Sequence, residues 1–274
     1  MAYGLLKGKR GIISGALDEN SIAWKVALKA KEEGATFTLT NAPIAMRMGT
    51  INQLAEACDA KVIPADATSV EDIEKLYSES MDVLGGKVDF VLHSIGMSLN
   101  VRKGRDYGDL NYDWFLKGLD ISALSFHKFL QVAEKLDAIN DWGSVVGLTY
   151  IAAQRTYPFY NDMAEAKSML ESIARSYGYR YGKAKNVRVN TISQSPTKTT
   201  AGNGIGGFSS FYGFAEKMSP LGNASAEDCA NYTISLFSDL TRMVTMQNLY
   251  HDGGYSSTGI SEELIEMIQQ QQQQ

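Results

Sequence analysis

Only two cysteines and three histidines occur among the 274 residues of the chain. Cys58 and Cys229 are far apart and have no His or Cys companion at ligand spacing, so neither a disulfide framework nor a metal site is supported. His93, His127 and His251 are too dispersed for a histidine-based triad, and each fits an ordinary strand-end or helix position. Basic residues are not in excess either. Lys and Arg number 26 against 31 Asp and Glu, a net charge of −5, which offers no footprint for nucleic acid and no polybasic membrane anchor. From Met1-Ala2-Tyr3-Gly4 into Leu5-Leu6-Lys7-Gly8-Lys9 there is no apolar run of secretory or spanning length. The expectation is a cytoplasmic protein with no nucleic-acid or membrane partner. What remains, 44% apolar residues in a chain of this length, suits one large α/β domain with a sizeable core.

Short apolar, β-branched runs recur along the chain. Residues 10–14, 36–40, 61–64, 88–93, 144–148, 187–193 and 248–251 read as strands, separated by helical patterns such as 70–84 and 226–239. Such alternation with short connections predicts a Rossmann-type, doubly wound parallel sheet covered by helices on both faces. Ligands of such sheets bind outside the carboxyl ends of the strands, where the strand order reverses. Gly15, Asp66, the group His93-Ser94-Ile95-Gly96, Tyr150 and the turn Ser195-Pro196-Thr197 all follow strand ends.

The first βα unit runs from Arg10-Gly11-Ile12-Ile13-Ser14 through Gly15 to a helix starting near Ser21 and ending at Glu33. A glycine there admits a pyrophosphate to the backbone, and the helix start supplies free N–H donors, with Ser21 a good N-cap. The spacing is not G-x-G-x-x-G, so an ordinary capped βα turn fits this segment equally well. Where many dinucleotide-binding units carry an acidic residue after the second strand, this chain has Asn41-Ala42-Pro43, and Arg47 leaves a 2′-phosphate contact open. Asp66 fits both an adenine contact and a helix-capping acid ahead of Thr68-Ser69.

The segment LTYIAAQRTYPFYNDMAEAK holds Tyr150, Tyr160 and Lys167. From Tyr160 to Leu170 the chain lacks proline and glycine and has apolar positions at Met163, Ala166, Met169 and Leu170, which predicts a helix over 160–181. Seven residues are about two helical turns, so Tyr160 and Lys167 are expected on one face, roughly 10 Å apart along the axis. A phenol and an ammonium so placed can act on one extended ligand without touching. A buried Tyr and a surface Lys meeting the same spacing by chance is the competing reading.

Taken together, the motifs Gly15-x5-Ser21-Ile22-Ala23, Asp66-Ala67, His93-Ser94-Ile95-Gly96, Tyr150 with Tyr160-x6-Lys167, Val187-Arg188-Val189-Asn190 leading to Pro196, and His251-Asp252-Gly253-Gly254-Tyr255 resemble the short-chain dehydrogenase/reductase superfamily. Within it they resemble the NADH-dependent enoyl-acyl-carrier-protein reductases of type II fatty acid synthesis. The x6 spacing marks that branch, since the superfamily's usual arrangement is Tyr-x3-Lys. With three intervening residues the lysine can lower the phenol pKa directly, which suits a ketone, whereas a neutral phenol suffices to hold an enolate oxygen.

The resemblance implies NADH as cofactor and an enoyl thioester on acyl carrier protein as substrate. It implies Tyr160 as the enolate donor, Lys167 on the nicotinamide ribose, and Tyr150 lining the acyl site. Cofactor contacts are implied at Gly15, Ser21, Ile22, Ala42, Asp66, Ala67, Ser94, Ile95, Gly96, Lys167, Pro196, Thr197 and Thr199, and substrate contacts at Met97, Ser98, Tyr150, Tyr160, Met163, Phe208 and Phe211. Residues 199–212, TTAGNGIGGFSSFY, are implied to be a substrate-binding lid, and a homotetramer is implied with 121–136 and 160–181 as interface elements. A helix is expected over 262–268 and a disordered Gln tail over 269–274. The alternatives are a short-chain reductase of another enone or a ketone, and a dinucleotide sensor. Against a ketoreductase, the residue four after Tyr160 is Ala164 rather than Lys, and thirteen before it is Gly147 rather than Ser.

Overall fold

Side chains alternate along the strands in a way that requires two apolar layers. Ile12 and Val145 are buried on one face of the sheet, and their neighbours Ile13 and Val146 on the other. Both faces must then be covered, as in a parallel sheet with crossover helices. The computed structural model, which describes residues 2–47, 50–203 and 207–272, shows this arrangement.

A seven-stranded sheet has the order β3-β2-β1-β4-β5-β6-β7, with every neighbouring pair parallel. The strands are β1 (Arg10–Ser14), β2 (Thr36–Thr40), β3 (Lys61–Val62), β4 (Val88–His93), β5 (Ile139–Thr149), β6 (Arg188–Gln194) and β7 (Asn248–His251). The helices are α1 (Ile22–Glu32), α2 (Ile51–Cys58), α3 (Val70–Leu84), α4 (Leu99–Arg102), α5 (Tyr112–Leu119), α6 (Ser125–Lys135), α7 (Met163–Lys185), α8 (Thr200–Asn203), α9 (Phe208–Met218), α10 (Ala226–Phe237) and α11 (Glu262–Gln272). Residues of α1, α2 and α10 fill one core layer, and those of α3, α6 and α7 the other. Each fully buried Ile, Leu or Val contributes about 1.5–3 kcal/mol.

Local chemistry sets several boundaries. Ser69 Oγ accepts from the Asp72 N–H at 3.1 Å to start α3, and left-handed Gly85 ends that helix. Ser225 and Asp228 form a reciprocal capping box at α10. β3 is two residues shorter than the sequence suggested, and β5 begins five residues earlier, at Ile139. The last helix continues to Gln272 rather than stopping at Ile268, while Gln273 and Gln274 lie outside the described residues. In the expected lid, residues 200–203 form α8 and 208–212 begin α9, while 204–206 lie outside the described residues.

Gly11 on β1 lies opposite Phe90 on β4, whose ring stacks on Phe237 at 4.6 Å. A Cβ at Gly11 would sit 2.1 Å from the Phe90 ring. Gly11→Ala should therefore destabilise the protein by about 1–3 kcal/mol through overpacking. Phe90→Leu should recover part of the loss when the two changes are combined. Urea unfolding of the single and double variants measures both effects, and an unchanged midpoint for Gly11→Ala would disprove the packing argument.

Candidate functional site

Strand order reverses beside β1: the chain leaves it through β2 and β3 and returns on its other side as β4. In open parallel sheets such a reversal leaves a crevice over the carboxyl ends of the two strands, here β1 and β4. Gly15 there has φ +91°, and a Cβ on it would meet the Ser94 carbonyl oxygen at 1.9 Å, so only glycine fits. Ser21 occupies the N-cap of α1 but does not cap it. Its hydroxyl donates to the Asp18 carbonyl at 2.6 Å and accepts from the Leu17 N–H at 3.3 Å. The start of α1 thus keeps backbone donors for an anion, while Ile22 packs on the core beneath.

The end of β2 is tied to this loop. The Asn41 amide donates to the Ala16 carbonyl at 2.9 Å, and its oxygen accepts from the Ala42 N–H at 2.8 Å. Asp66 is exposed and accepts from the Thr68 N–H and hydroxyl at 2.9 and 2.7 Å. It forms a local turn, and the cap of α3 is Ser69, so the capping role suggested for Asp66 is not realised. Ala67 and Ile95 are partly buried against the core. Pro196 is half-buried, Thr197 Oγ1 donates to the Ser195 carbonyl at 2.9 Å, and Thr199 Oγ1 accepts from the Gly202 N–H at 2.9 Å.

On the other side of the crevice, Tyr150 directly follows β5 and its ring lies 5.2 Å from that of Tyr160. Tyr160 is not in the helix. α7 begins at Met163, and Phe159 and Asn161 on either side of Tyr160 have φ +70° and +43°. The two-turn spacing expected between Tyr160 and Lys167 therefore does not apply. What fixes the turn is Asp162, 2% exposed. Its carboxylate accepts from Ser98 Oγ at 2.6 Å and Asn100 Nδ2 at 2.8 Å. Tyr160 packs with Val101, Ala152 and Met163.

Lys167 points inward, 8% exposed, and its ammonium donates to the Leu148 carbonyl at 2.8 Å. A Cβ on Gly96 would lie 3.5 Å from both Lys167 Nζ and Met163 Cε, so the absence of a side chain there leaves space beside the ammonium. With one of its three donors engaged, this amine can also serve the hydroxyls of a sugar. Together with the uncapped start of α1 and the bare Gly15 turn, the residues fit a dinucleotide.

Burial lowers the Lys167 pKa to about 8, against the opposing pull of Glu171, and raises the phenols of Tyr160 and Tyr150 well above their usual range. Both tyrosines are hydrogen-bond donors at neutral pH. Tyr150 also meets Tyr157 at 5.1 Å, and Tyr157 meets Phe211 at 6.2 Å and Tyr255 at 6.3 Å. Phe211 thus reaches the aromatic group, whereas Phe208 packs against Tyr212 at 6.1 Å.

Several residues of the site were not anticipated. The helix over 112–135 contains a π-helical turn, Asp120–Leu124. Ser122 in that turn accepts from the Met97 N–H at 2.9 Å and donates to its carbonyl at 3.1 Å. His93 Nε2 lies 2.8 Å from Ser125 Oγ, which itself donates to the Ile121 carbonyl at 2.6 Å. Nε2 must then carry the proton. Burial, and secondarily the charge of Lys167, lower the His93 pKa to about 3, so its ring stays neutral. Asp162 makes no capping bond to α7 and acts through Ser98 and Asn100 instead, contacts that the local sequence does not show; nothing local marks Ser122 either. Among the described residues, no group of His, Cys, Asp and Glu could hold a metal ion, and no helix is long and apolar enough to cross a membrane.

A family model described as Enoyl-(Acyl carrier protein) reductase matches residues 15–256. A curated NADH enoyl-acyl-carrier-protein reductase 1 of Rhizobium meliloti is 36% identical, over 94% of this chain and 94% of its own length. A corresponding NADH enzyme, FabI of Rickettsia bellii, is 38% identical over 94% of this chain and 98% of its own. Among solved structures, a FabI-NADH complex from Alistipes finegoldii is 67% identical with a TM-score of 0.94, covering 95% of this chain and 92% of that one.

The buried cation has a consequence for stability that needs no ligand. Below about pH 8 Lys167 is charged in both folded and unfolded chains, and its desolvation cost is fully present. Between about 8 and the ordinary 10.5 the folded state has released a proton that the unfolded state still holds, so stability rises with pH across that window. At pH 7 Lys167→Met avoids the cost of burying the cation but loses the bond to Leu148 and leaves the buried Glu171 carboxylate without its cation. Relative to this variant, which has no group titrating at that position, the wild type should gain up to roughly 3 kcal/mol of stability as pH is raised from 8 to 10.5. Urea unfolding across that range measures it, and a pH-independent difference would contradict the assignment.

Proposed function

Since the chain belongs to the enoyl-acyl-carrier-protein reductase family, an NADH-dependent group acting in fatty acid synthesis, we propose how its residues divide the reduction of a trans-2-enoyl thioester. The observations that carry the reading are the Tyr150–Tyr160 ring pair, packed with Met163, and the inward-facing Lys167, with Met163 and the ammonium both bordering the open space at Gly96. Bound NADH supplies the hydride that reaches the β-carbon of the enoyl group. Lys167 holds the nicotinamide ribose through the two donors not given to Leu148. Gly15 and the start of α1 admit the pyrophosphate, and Gly96 leaves room for the ring.

Tyr160 remains protonated because burial disfavours its phenolate, and its hydroxyl donates to the thioester oxygen as negative charge develops there. This donor needs no proton transfer to work, and it strengthens as the enolate forms. Tyr150 stands at 5.2 Å from Tyr160 and completes the wall of the acyl site together with Met163, Tyr157 and Phe211. The backbone of Met97, clamped by Ser122, and Ser98, fixed on Asp162, hold the opposite wall. The carrier of the thioester is acyl carrier protein. No carboxylate follows β2 to repel a 2′-phosphate, so the preference for NADH rests on the shape of the Asn41-Ala42-Pro43 turn.

Crotonyl thioester should drive loss of NADH absorbance, and acetoacetyl thioester should not; oxidation with the ketone alone would refute the reading. Tyr160→Phe should lower turnover by about 10²–10³, the effect of removing one oxyanion donor, with NADH affinity little changed. Lys167→Met should mainly weaken NADH binding. Undiminished NADH affinity in that variant, measured by fluorescence titration, would remove the ribose role.

The protein is proposed to work in the cytoplasm as a homotetramer built through 121–136 and α7. Tyr112, Leu116 and Leu124 near the first segment and Tyr179 on α7 are large apolar groups left exposed on the single chain, of the kind that a second copy covers. Sedimentation should give four copies, and a monomer would exclude this assembly.

A further inference from the structure

One turn beyond Lys167 on α7, Glu171 is buried, 4% exposed. Its Oε1 accepts from Thr149 Oγ1 at 2.9 Å and its Oε2 from Gln154 Nε2 at 3.0 Å. The Gln154 oxygen in turn accepts from the Tyr250 phenol on β7. These donors are neutral. A carboxylate removed from water and held by neutral donors is costly unless a cation lies nearby, and the cation is Lys167, at the i−4 position of the same helix.

The pair also makes two grips on neighbouring residues. Lys167 holds the carbonyl of Leu148, and Glu171 holds the hydroxyl of Thr149. Tyr150 is the next residue. The helix bearing the ammonium is therefore locked to the strand end bearing the acyl-site phenol.

We propose that Glu171 is a positioning residue for cofactor binding, its carboxylate keeping the Lys167 amine cationic and its bond to Thr149 holding the end of β5 in register with α7. The proposal rests on the reading that Lys167 holds the ribose. Other groups facing the pair do not titrate in the working range. His93, at the end of β4, is neutral because it is buried, and the Tyr250 phenol is raised above its usual range by burial and then by Glu171, with Arg155 opposing. Lys167, shifted to about 8, is the group that changes charge there.

Glu171→Gln keeps the shape and the bond from Thr149 while removing the charge. If only the ammonium binds well, NADH affinity of the wild type falls as pH rises through about 8. In Glu171→Gln this midpoint should move down by about one unit, leaving affinity nearly unchanged at pH 6 and lowering it about fivefold at pH 8. Turnover at saturating NADH should change far less than affinity, Glu171→Asp should restore the wild-type midpoint, and Glu171→Gln should add no further loss to Lys167→Met. If Gln is not tolerated, Glu171→Leu should move the midpoint in the same direction while also removing the bond from Thr149.

The titration of Lys167 itself, followed by NMR in the lysine-labelled free enzyme and assigned by its loss in Lys167→Met, separates this proposal from the one beneath it. Full NADH affinity in Lys167→Met would remove the ribose role while the NMR midpoint still reports on Glu171. An unshifted NMR midpoint in Glu171→Gln, or losses that simply add to those of Lys167→Met, would overturn the proposal.

Discussion

The bond from the Lys167 ammonium to the Leu148 carbonyl joins the two halves of the site, because it is made between the helix that follows Tyr160 and the strand that precedes Tyr150. Burying a cation costs free energy that a surface lysine does not incur. The molecule accepts this cost at the carboxyl edge of the sheet, where strand ends present carbonyl oxygens and leave an opening for a ligand. The second α7 to β5 contact, from Thr149 to Glu171, makes the junction two-pronged. A helix held at two points one turn apart cannot slide or rotate against the strand, so the position of the ammonium relative to the end of β5 and Tyr150 is set by the backbone.

The opposite wall of the crevice depends on side chains that are missing. At Gly15 a Cβ would strike the Ser94 carbonyl, so the β1 and β4 ends can approach closely only without one. At Gly96 the space lies beside Lys167 and Met163 instead. One glycine permits the backbones to meet, and the other keeps room for something that is neither. Ser122, lifted by the π-helical turn, then clamps the backbone at Met97 by both its N–H and its carbonyl, which leaves that wall little freedom. π-helical turns recur at functional sites for this reason: the extra residue rotates a side chain out of helical register.

Sheet and helices were legible because they depend on local pattern. β2, β4, β7 and α3 run where alternation and capping placed them. β5 is longer than its apolar run, since Asn140, Asp141 and Gly143 look like a turn, and what extends the strand is pairing of Ile139 with Val88 across an irregular register. Lys167, Gly15 and Gly96 could be named from sequence, but what each touches could not. The misplaced start of α7 shows why. Apolar spacing continues smoothly through Met163 and gives no reason to stop the helix after Tyr160. The stop comes from Ser98 and Asn100, more than sixty residues earlier, which capture Asp162.

That capture explains why Tyr160 stands where it does. A non-glycine residue in the left-handed region costs about 1–3 kcal/mol, and Tyr160 is flanked by two, although Asn161 tolerates the conformation better than Phe159 does. Local preference would relax this turn into another turn of helix and swing the phenol away from Tyr150. It is prevented by bonds made outside the segment: Ser98 and Asn100 on the Asp162 carboxylate, and the Asn161 amide on the Arg105 carbonyl at 2.6 Å. The two bonds on the Asp162 carboxylate are charge-assisted and contribute about 1.5–3 kcal/mol each, enough to outweigh the strain. The phenol is therefore held ahead of the helix rather than on it, beside Tyr150, while Lys167 is delivered from the helix behind. The two groups reach the same side of the crevice from different elements, and seven residues of separation suffice because the path between them is a strained turn followed by little more than one turn of helix.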